Sequence, residues 1–253
     1  MIKIYSYGRV ARVHVGAFVT AALLLSVSSG ARAQGHIPEG GEPPVNREEN
    51  TRVRADDYRV TEARLKYGGG GDWYADPSSL PNFLSEFTRR TGIPTASMEK
   101  VIEAGDPELS SFPFLYMTGH GNVAFSSSEL GRLRAHLLGG GFLYADDNYG
   151  MDESFRKVVA ELFPGREMAL VPFDHPIYSA FYELDGPPKV HEHDGKRPEG
   201  WGIFDGDRLM LFYTYESDVG DGLEDPDVHG DPAAVRELAV RMACNVFYYA
   251  MTR

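Results

Sequence analysis

The chain has 253 residues, 42% hydrophobic and 12% aromatic, with 25 basic against 37 acidic side chains and a formal charge of −12. That length and apolar fraction suit one globular core rather than a fibrous or disordered chain. The acidity argues against nucleic acid or anionic lipid as a partner.

Residues 1–33 read as an export signal. Lys3, Arg9 and Arg12 precede an apolar stretch over 15–27, and Ala31-Arg32-Ala33 supplies the small residues required before cleavage at Gln34. The stretch is shorter than the roughly 20 apolar residues that span a bilayer, and no later segment is long and apolar enough to span. The mature protein is therefore expected in the periplasm or outside the cell, without a membrane span. Losing Lys3, Arg9, Arg12 and Arg32 would leave 21 basic and 37 acidic residues, a formal charge of −16. Residues 34–56, rich in Gly, Pro, Glu and Asn, read as a disordered tether, and an α/β domain is expected over 57–253.

Within that domain, residues 58–67 predict a first strand running into Gly68-Gly69-Gly70-Gly71-Asp72-Trp73-Tyr74. Four glycines after a strand suggest a phosphate cradle, but the Lys-Ser/Thr pair is missing, so a flexible turn is the reading. Leu80, Phe83, Leu84 and Phe87 place a helix over 76–90, stopped by Gly92 and Pro94. Residues 95–102 suit a short edge strand.

The apolar run Phe112-Pro113-Phe114-Leu115-Tyr116-Met117 ends in Thr118-Gly119-His120-Gly121-Asn122. Leu130, Leu133, Leu137 and Leu138 keep helical spacing behind serines and a glutamate suited to an N-terminus. Phe142-Leu143-Tyr144-Ala145 then ends in Asp146-Asp147-Asn148. Strand, helix and strand with short connections form a crossover, which makes the strands parallel and puts both polar tips on one carboxyl edge.

A helix is expected over 151–163 and a short apolar segment over 168–171. Pro172-Phe173-Asp174-His175-Pro176 reads as a rigid loop presenting an acid beside an imidazole. The stretch containing His191-Glu192-His193-Asp194 reads as a solvated loop. Asp205-Gly206-Asp207 between apolar runs predicts a hairpin over 201–215. Glu216, Asp218 and Asp221 stand among glycines but lack the regular calcium-loop pattern. Asp231-Pro232 is expected to cap a last helix over 233–251, whose apolar face includes Cys244. As the sole cysteine, Cys244 can form no intramolecular disulfide and suits core packing.

Residues 64–252 resemble the bacterial family catalogued as DUF4159. The likeness is carried by Leu65-Lys66-Tyr67 with Gly71-Asp72-Trp73-Tyr74, Pro113-Phe114-Leu115-Tyr116 with Thr118-Gly119-His120-Gly121, Gly140-Gly141-Phe142-Leu143 with Ala145-Asp146-Asp147, Asp174-His175-Pro176-Ile177, and residues 215–220. The family is in turn similar to class I glutamine amidotransferase-like and ThuA-like proteins. That implies a flavodoxin-like three-layer α/β/α sandwich with a mostly parallel sheet. The amidotransferase nucleophile is a cysteine on a strand tip, and the comparable tip here, Ala145-Asp146-Asp147-Asn148, has none.

The expected site gathers His120, Asn122, Asp146, Asp147, Asn148, Asp174, His175, Glu216 and Asp218 at the carboxyl edge, with Trp73, Tyr74 and Tyr149 nearby. Two functions fit. The first is binding of a small polar ligand, a sugar or envelope fragment, with docking to an envelope protein as another partner. The second is hydrolysis, with His120, Asp146, Asp147 and His175 as catalytic candidates and a divalent metal on His120, Asp146 and His175 as the cofactor alternative.

Overall fold

A computed structural model describes residues 60–191 and 193–253. The export leader expected over 1–33 and the tether expected over 34–56 lie outside the described residues. The core is a seven-stranded sheet in the order β2-β1-β3-β4-β7-β6-β5. Five strands are parallel: β2 (Lys100–Glu103), β1 (Ala63–Lys66), β3 (Phe114–Met117), β4 (Phe142–Asp146) and β7 (Arg208–Tyr215). β6 (Glu199–Asp205) and β5 (Ala169–Leu170) extend one edge antiparallel.

The central strands are near-continuous apolar runs because both faces of the sheet are covered. β3 and β4 are buried at every residue, and Phe114 pairs with Phe142 through to Met117 with Ala145. Successive side chains then feed opposite layers. Leu115, Met117, Leu143, Ala145, Leu211 and Tyr213 pack against α2 (Ser127–Leu138) and α3 (Asp152–Leu162). Phe114, Tyr116, Phe142, Tyr144 and Phe212 pack against α1 (Ser79–Thr91) and α5 (Ala233–Thr252).

The predicted crossover is present as β3, α2 and β4. Ser126 and Glu129 open α2 with a reciprocal capping box. The predicted hairpin is β6 and β7, turning at Gly206 with φ 60°. A short helix, α4 (Val219–Leu223), follows β7. Among the described residues no helix is long and apolar enough to cross a membrane.

Three expectations need correction. The edge strand is shorter than 95–102, since Thr95 only bridges Val60 and pairing with β1 starts at Lys100. The glycines after β1 are not a free turn: Gly68 pairs with Ala124, and Gly71 N donates to Asn122 O at 2.9 Å. A Cβ at Gly69 would stand 2.8 Å from Ala124 N, and one at Gly71 would stand 2.6 Å from His120 O, so side chains are excluded by close backbone approach. Asp231 does not cap α5 through its side chain, which instead meets a histidine.

Candidate functional site

Parallel pairing puts the ends of β1, β3, β4 and β7 on one rim. There the chain is held by buried polar side chains rather than by regular structure. Thr118 Oγ1 donates to Asp146 O at 3.1 Å and to Asn148 Oδ1 at 2.9 Å, which ties the β3 tip to the β4 tip. Asn148 Nδ2 donates to both oxygens of Asp76 at 2.8 and 2.9 Å, and reaches Asp221 Oδ1 at 3.3 Å. Arg64 fixes the Asp76 loop by donating to the carbonyls of Ala75 (2.7 Å) and Asp76 (3.2 Å), which leaves the Asp76 carboxylate to Asn148.

Two later loops fold back over this rim. Val190 N donates to Ser217 O at 2.9 Å, and Lys189 Nζ pairs with Glu216 Oε2 at 2.8 Å. These bonds carry His191 and His193 onto the tip of β7. His193 Nε2 lies 2.8 Å from Asp218 Oδ2, and His191 Nδ1 lies 2.6 Å from Asp221 Oδ2. The loop after α4 brings His229 Nδ1 to 3.5 Å from the same Asp221 oxygen.

The result is a cleft of about 490 Å³ lined by His120, Asn148, Tyr149, His191, His193, Asp218 and Asp221. Tyr149 is half exposed and meets the His193 ring edge-on at 5.1 Å. Among the described residues the non-glycine positions with positive φ are Asp76, Tyr149, Glu216 and Asp218, and all four lie at this rim. Tyr149, at φ 95°, is the most strained, and such conformations cost about 1–3 kcal/mol each and gather where function holds them.

The electrostatics are equally concentrated. Burial, then the nearby Asp221, pushes the Asp76 carboxyl up to about 8. Burial followed by repulsion from Asp221, Asp146 and Asp76 pushes Asp218 up to about 10. Asp146 is raised to about 6 by burial, held there by bonds from Thr214 and the Gly220 amide. Burial lowers the His193 imidazole. Carboxylates this close cannot all ionise without a proton or a cation among them.

The expected residues divide as follows. His120, Asn148 and Asp218 line the cleft together. His120 is steadied by Asp72, whose carboxylate accepts from the His120 amide and meets Nδ1 at 3.1 Å. Asp146 and Asp147 lie at the same rim but beneath its surface. Asp146 accepts from Thr214 Oγ1 and from Gly220 N (2.7 Å), and Asp147 accepts from Tyr149 N at 3.2 Å. Glu216 is taken up by Lys189 and by the Asp194 amide at 3.3 Å. Asn122 contributes its carbonyl to Gly71, and Trp73 packs edge-on to Tyr74 with Lys66 over its ring at 5.8 Å, off the cleft.

Asp174 and His175 do not join the site. Asn245 on α5 binds Tyr178 O, Phe181 N and Tyr182 N at 2.7–2.9 Å, which lays this segment along α5 toward the opposite rim. His175 there packs on Phe204 and Tyr249, and its Nδ1 accepts from Ile177 N at 3.2 Å, closing a 3₁₀ turn. The metal set His120, Asp146 and His175 is therefore not assembled. In its place His191, Asp221 and His229 bring ligand atoms within 4.8 Å of one another. The solvated-loop reading of 191–194 missed this, because its only sequence signal was two histidines two residues apart.

Cys244 is wholly buried in α5, its thiol is pushed up to about 12 by burial, and it does not line the cleft. No curated protein matches the chain. The profile of the domain of unknown function DUF4159 matches residues 61–251, and with the rim motifs of β1, β3, β4 and β7 all inside that span, the chain belongs to the DUF4159 family.

Proposed function

We propose that the protein is an exported domain of the flavodoxin-like three-layer kind that binds a small polar ligand, a sugar or cell-envelope fragment, in the cleft at the carboxyl rim of its sheet. The observation that carries this reading is the cleft itself. Its volume falls in the range of small-molecule sites, roughly 300–1,000 Å³. Its walls set the imidazoles of His120 and His193 and the carboxyl group of Asp218 beside the half-exposed ring of Tyr149. Open α/β sheets take ligands at this edge. The parallel order β2-β1-β3-β4-β7, with helices on both faces, supports the flavodoxin-like assignment. The leader over 1–33 supports export.

The ligand test is a thermal-shift screen of mono- and disaccharides and peptidoglycan fragments. At least one compound should raise the melting temperature, and Tyr149→Ala should remove most of the shift. A screen without any shift, or a shift untouched by Tyr149→Ala, contradicts the reading. Export is tested by N-terminal sequencing of the protein recovered from the envelope fraction. A start at Gln34 is expected, and a full-length chain retained in the cytosol contradicts it.

A second reading, hydrolysis, is favoured by the His193 and Asp218 pair, which sets an imidazole against a carboxylate at the cleft wall. Turnover of chromogenic ester or glycoside substrates that is lost in His193→Ala would favour it over simple binding.

A further inference from the structure

The side chains of His191, Asp221 and His229 bring ligand atoms within 4.8 Å of one another, and each imidazole is held from behind by a second carboxylate. His191 Nε2 lies 3.0 Å from Asp231 Oδ1, and His229 Nε2 lies 3.0 Å from Glu224 Oε2. A carboxylate accepts, so each Nε2 serves as a donor, and in the neutral ring each Nδ1 then keeps its lone pair. Both bare Nδ1 atoms point at one oxygen, Asp221 Oδ2, at 2.6 and 3.5 Å. With both rings neutral, three acceptors converge on a point that a cation would bridge. Carboxylates holding the far nitrogen of each imidazole are the outer-shell arrangement that orients metal-binding histidines.

A second observation, independent of this triad, points the same way. Asp218 is 2% exposed and its Oδ2 stands 3.6 Å from His191 Nδ1, yet its Oδ1 is buried without a hydrogen-bond partner among the described residues. A buried unsatisfied carboxylate oxygen costs free energy unless something occupies the space before it.

We propose that His191, Asp221 and His229 form a binding site for a first-row divalent cation of the Zn²⁺ class, with Asp218 beside it and one position open to the cleft. Two imidazole nitrogens and one carboxylate oxygen select such an ion over Mg²⁺ or Ca²⁺, which prefer all-oxygen shells. Ligand bonds of about 2.0–2.1 Å in a tetrahedral shell set donor atoms roughly 3.3 Å apart. The His229 to Asp221 separation already matches, and the His191 to Asp221 contact opens slightly on binding. His191 and Asp221 also wall the cleft, so an ion held there stands where a hydroxyl or carboxylate of the polar ligand could take the open position.

This inference rests on the reading of this rim as the binding site and adds an ion to it. The decisive experiment is calorimetric titration of chelator-stripped mature protein with Zn²⁺ in the absence of any organic ligand. Its failure would leave the ligand screen standing, and a failed screen would leave metal uptake standing. One Zn²⁺ per chain is expected, with affinity weakened at least tenfold in His191→Ala and in His229→Ala and unchanged in His175→Ala, whose histidine sits on the opposite rim. No uptake, or uptake that survives either loop substitution within a factor of two, overturns the proposal. Because a variant can fail to fold, the unsubstituted protein is also loaded with Co²⁺. An intense visible band of a four- or five-coordinate ion supports the site, and the weak band of a six-coordinate hydrated ion overturns it.

Discussion

At the scale of single residues, this protein tolerates buried acids well beyond its cleft. Glu62, just before β1, is 2% exposed, and its Oε2 has no hydrogen-bond partner among the described residues. Burial raises its carboxyl from the usual 4.5 to about 8, against the opposing pull of Arg64. Between those two values the folded protein keeps a proton that the unfolded chain has released. Stability therefore falls as pH rises through this window, by up to about 1.4 kcal/mol per pH unit. Glu62→Gln is expected to flatten that slope, so that urea unfolding shows the variant matching the parent near pH 5 and exceeding it by a few kcal/mol near pH 8. Parallel pH profiles for the two proteins would contradict this assignment. Nothing in the sequence around Glu62 announces it, since an acid before a strand reads equally well as a solvated one.

At the scale of elements, what was legible in the sequence is what local pattern controls. The β3, α2, β4 crossover follows from two apolar runs and a helical leucine spacing. The start of α2 follows from Ser126 and Glu129, whose side chains and amides satisfy one another: Ser126 N donates to Glu129 Oε2 at 2.7 Å and Glu129 N donates to Ser126 Oγ at 3.3 Å. Ser126→Ala should cost about 1 kcal/mol in chemical denaturation, the usual worth of such a cap. A change below roughly 0.3 kcal/mol would mean that packing of Leu133 and Leu137 alone sets that end of the helix.

The loops were not legible, for the complementary reason. Residues 188–191 and 193–194 have no periodicity, and their place is decided by bonds to Ser217 and Glu216 more than 20 residues away. Likewise His175 was drawn to the wrong rim because Asn245, far along the chain, holds the segment that follows it against α5. Asp231 next to Pro232 looked like a helix cap and instead orients His191.

At the scale of the whole molecule, the site is a consequence of topology. Thr118 and His120, Asp146 and Asn148, and Glu216 and Asp218 stand at the ends of three strands that the parallel sheet aligns, and Asp76 joins from the loop after β1. That part of the site could be anticipated, since a crossover leaves no other place for the strand tips. The family resemblance, read over residues 64–252, covers nearly the span that the family profile matches, 61–251. Yet the histidines that complete the rim, His191, His193 and His229, arrive on loops from outside the strand pattern. The anticipated strand tips do share one rim, while Asp174 and His175 do not join it. The rim also gathers the non-glycine residues with positive φ among the described residues and the raised carboxyls of Asp76, Asp146 and Asp218.

The central claim is that binding takes place at this carboxyl rim. The most direct measurement is the amide ¹H–¹⁵N spectrum of the isotope-labelled mature protein titrated separately with N-acetylglucosamine and with Zn²⁺. The account expects the shifts of at least one probe to concentrate at residues 119–122, 147–149, 189–191 and 216–224. Shifts concentrated instead at the opposite rim, around residues 136–141 and 206–208, or a spectrum that neither probe perturbs, would contradict it.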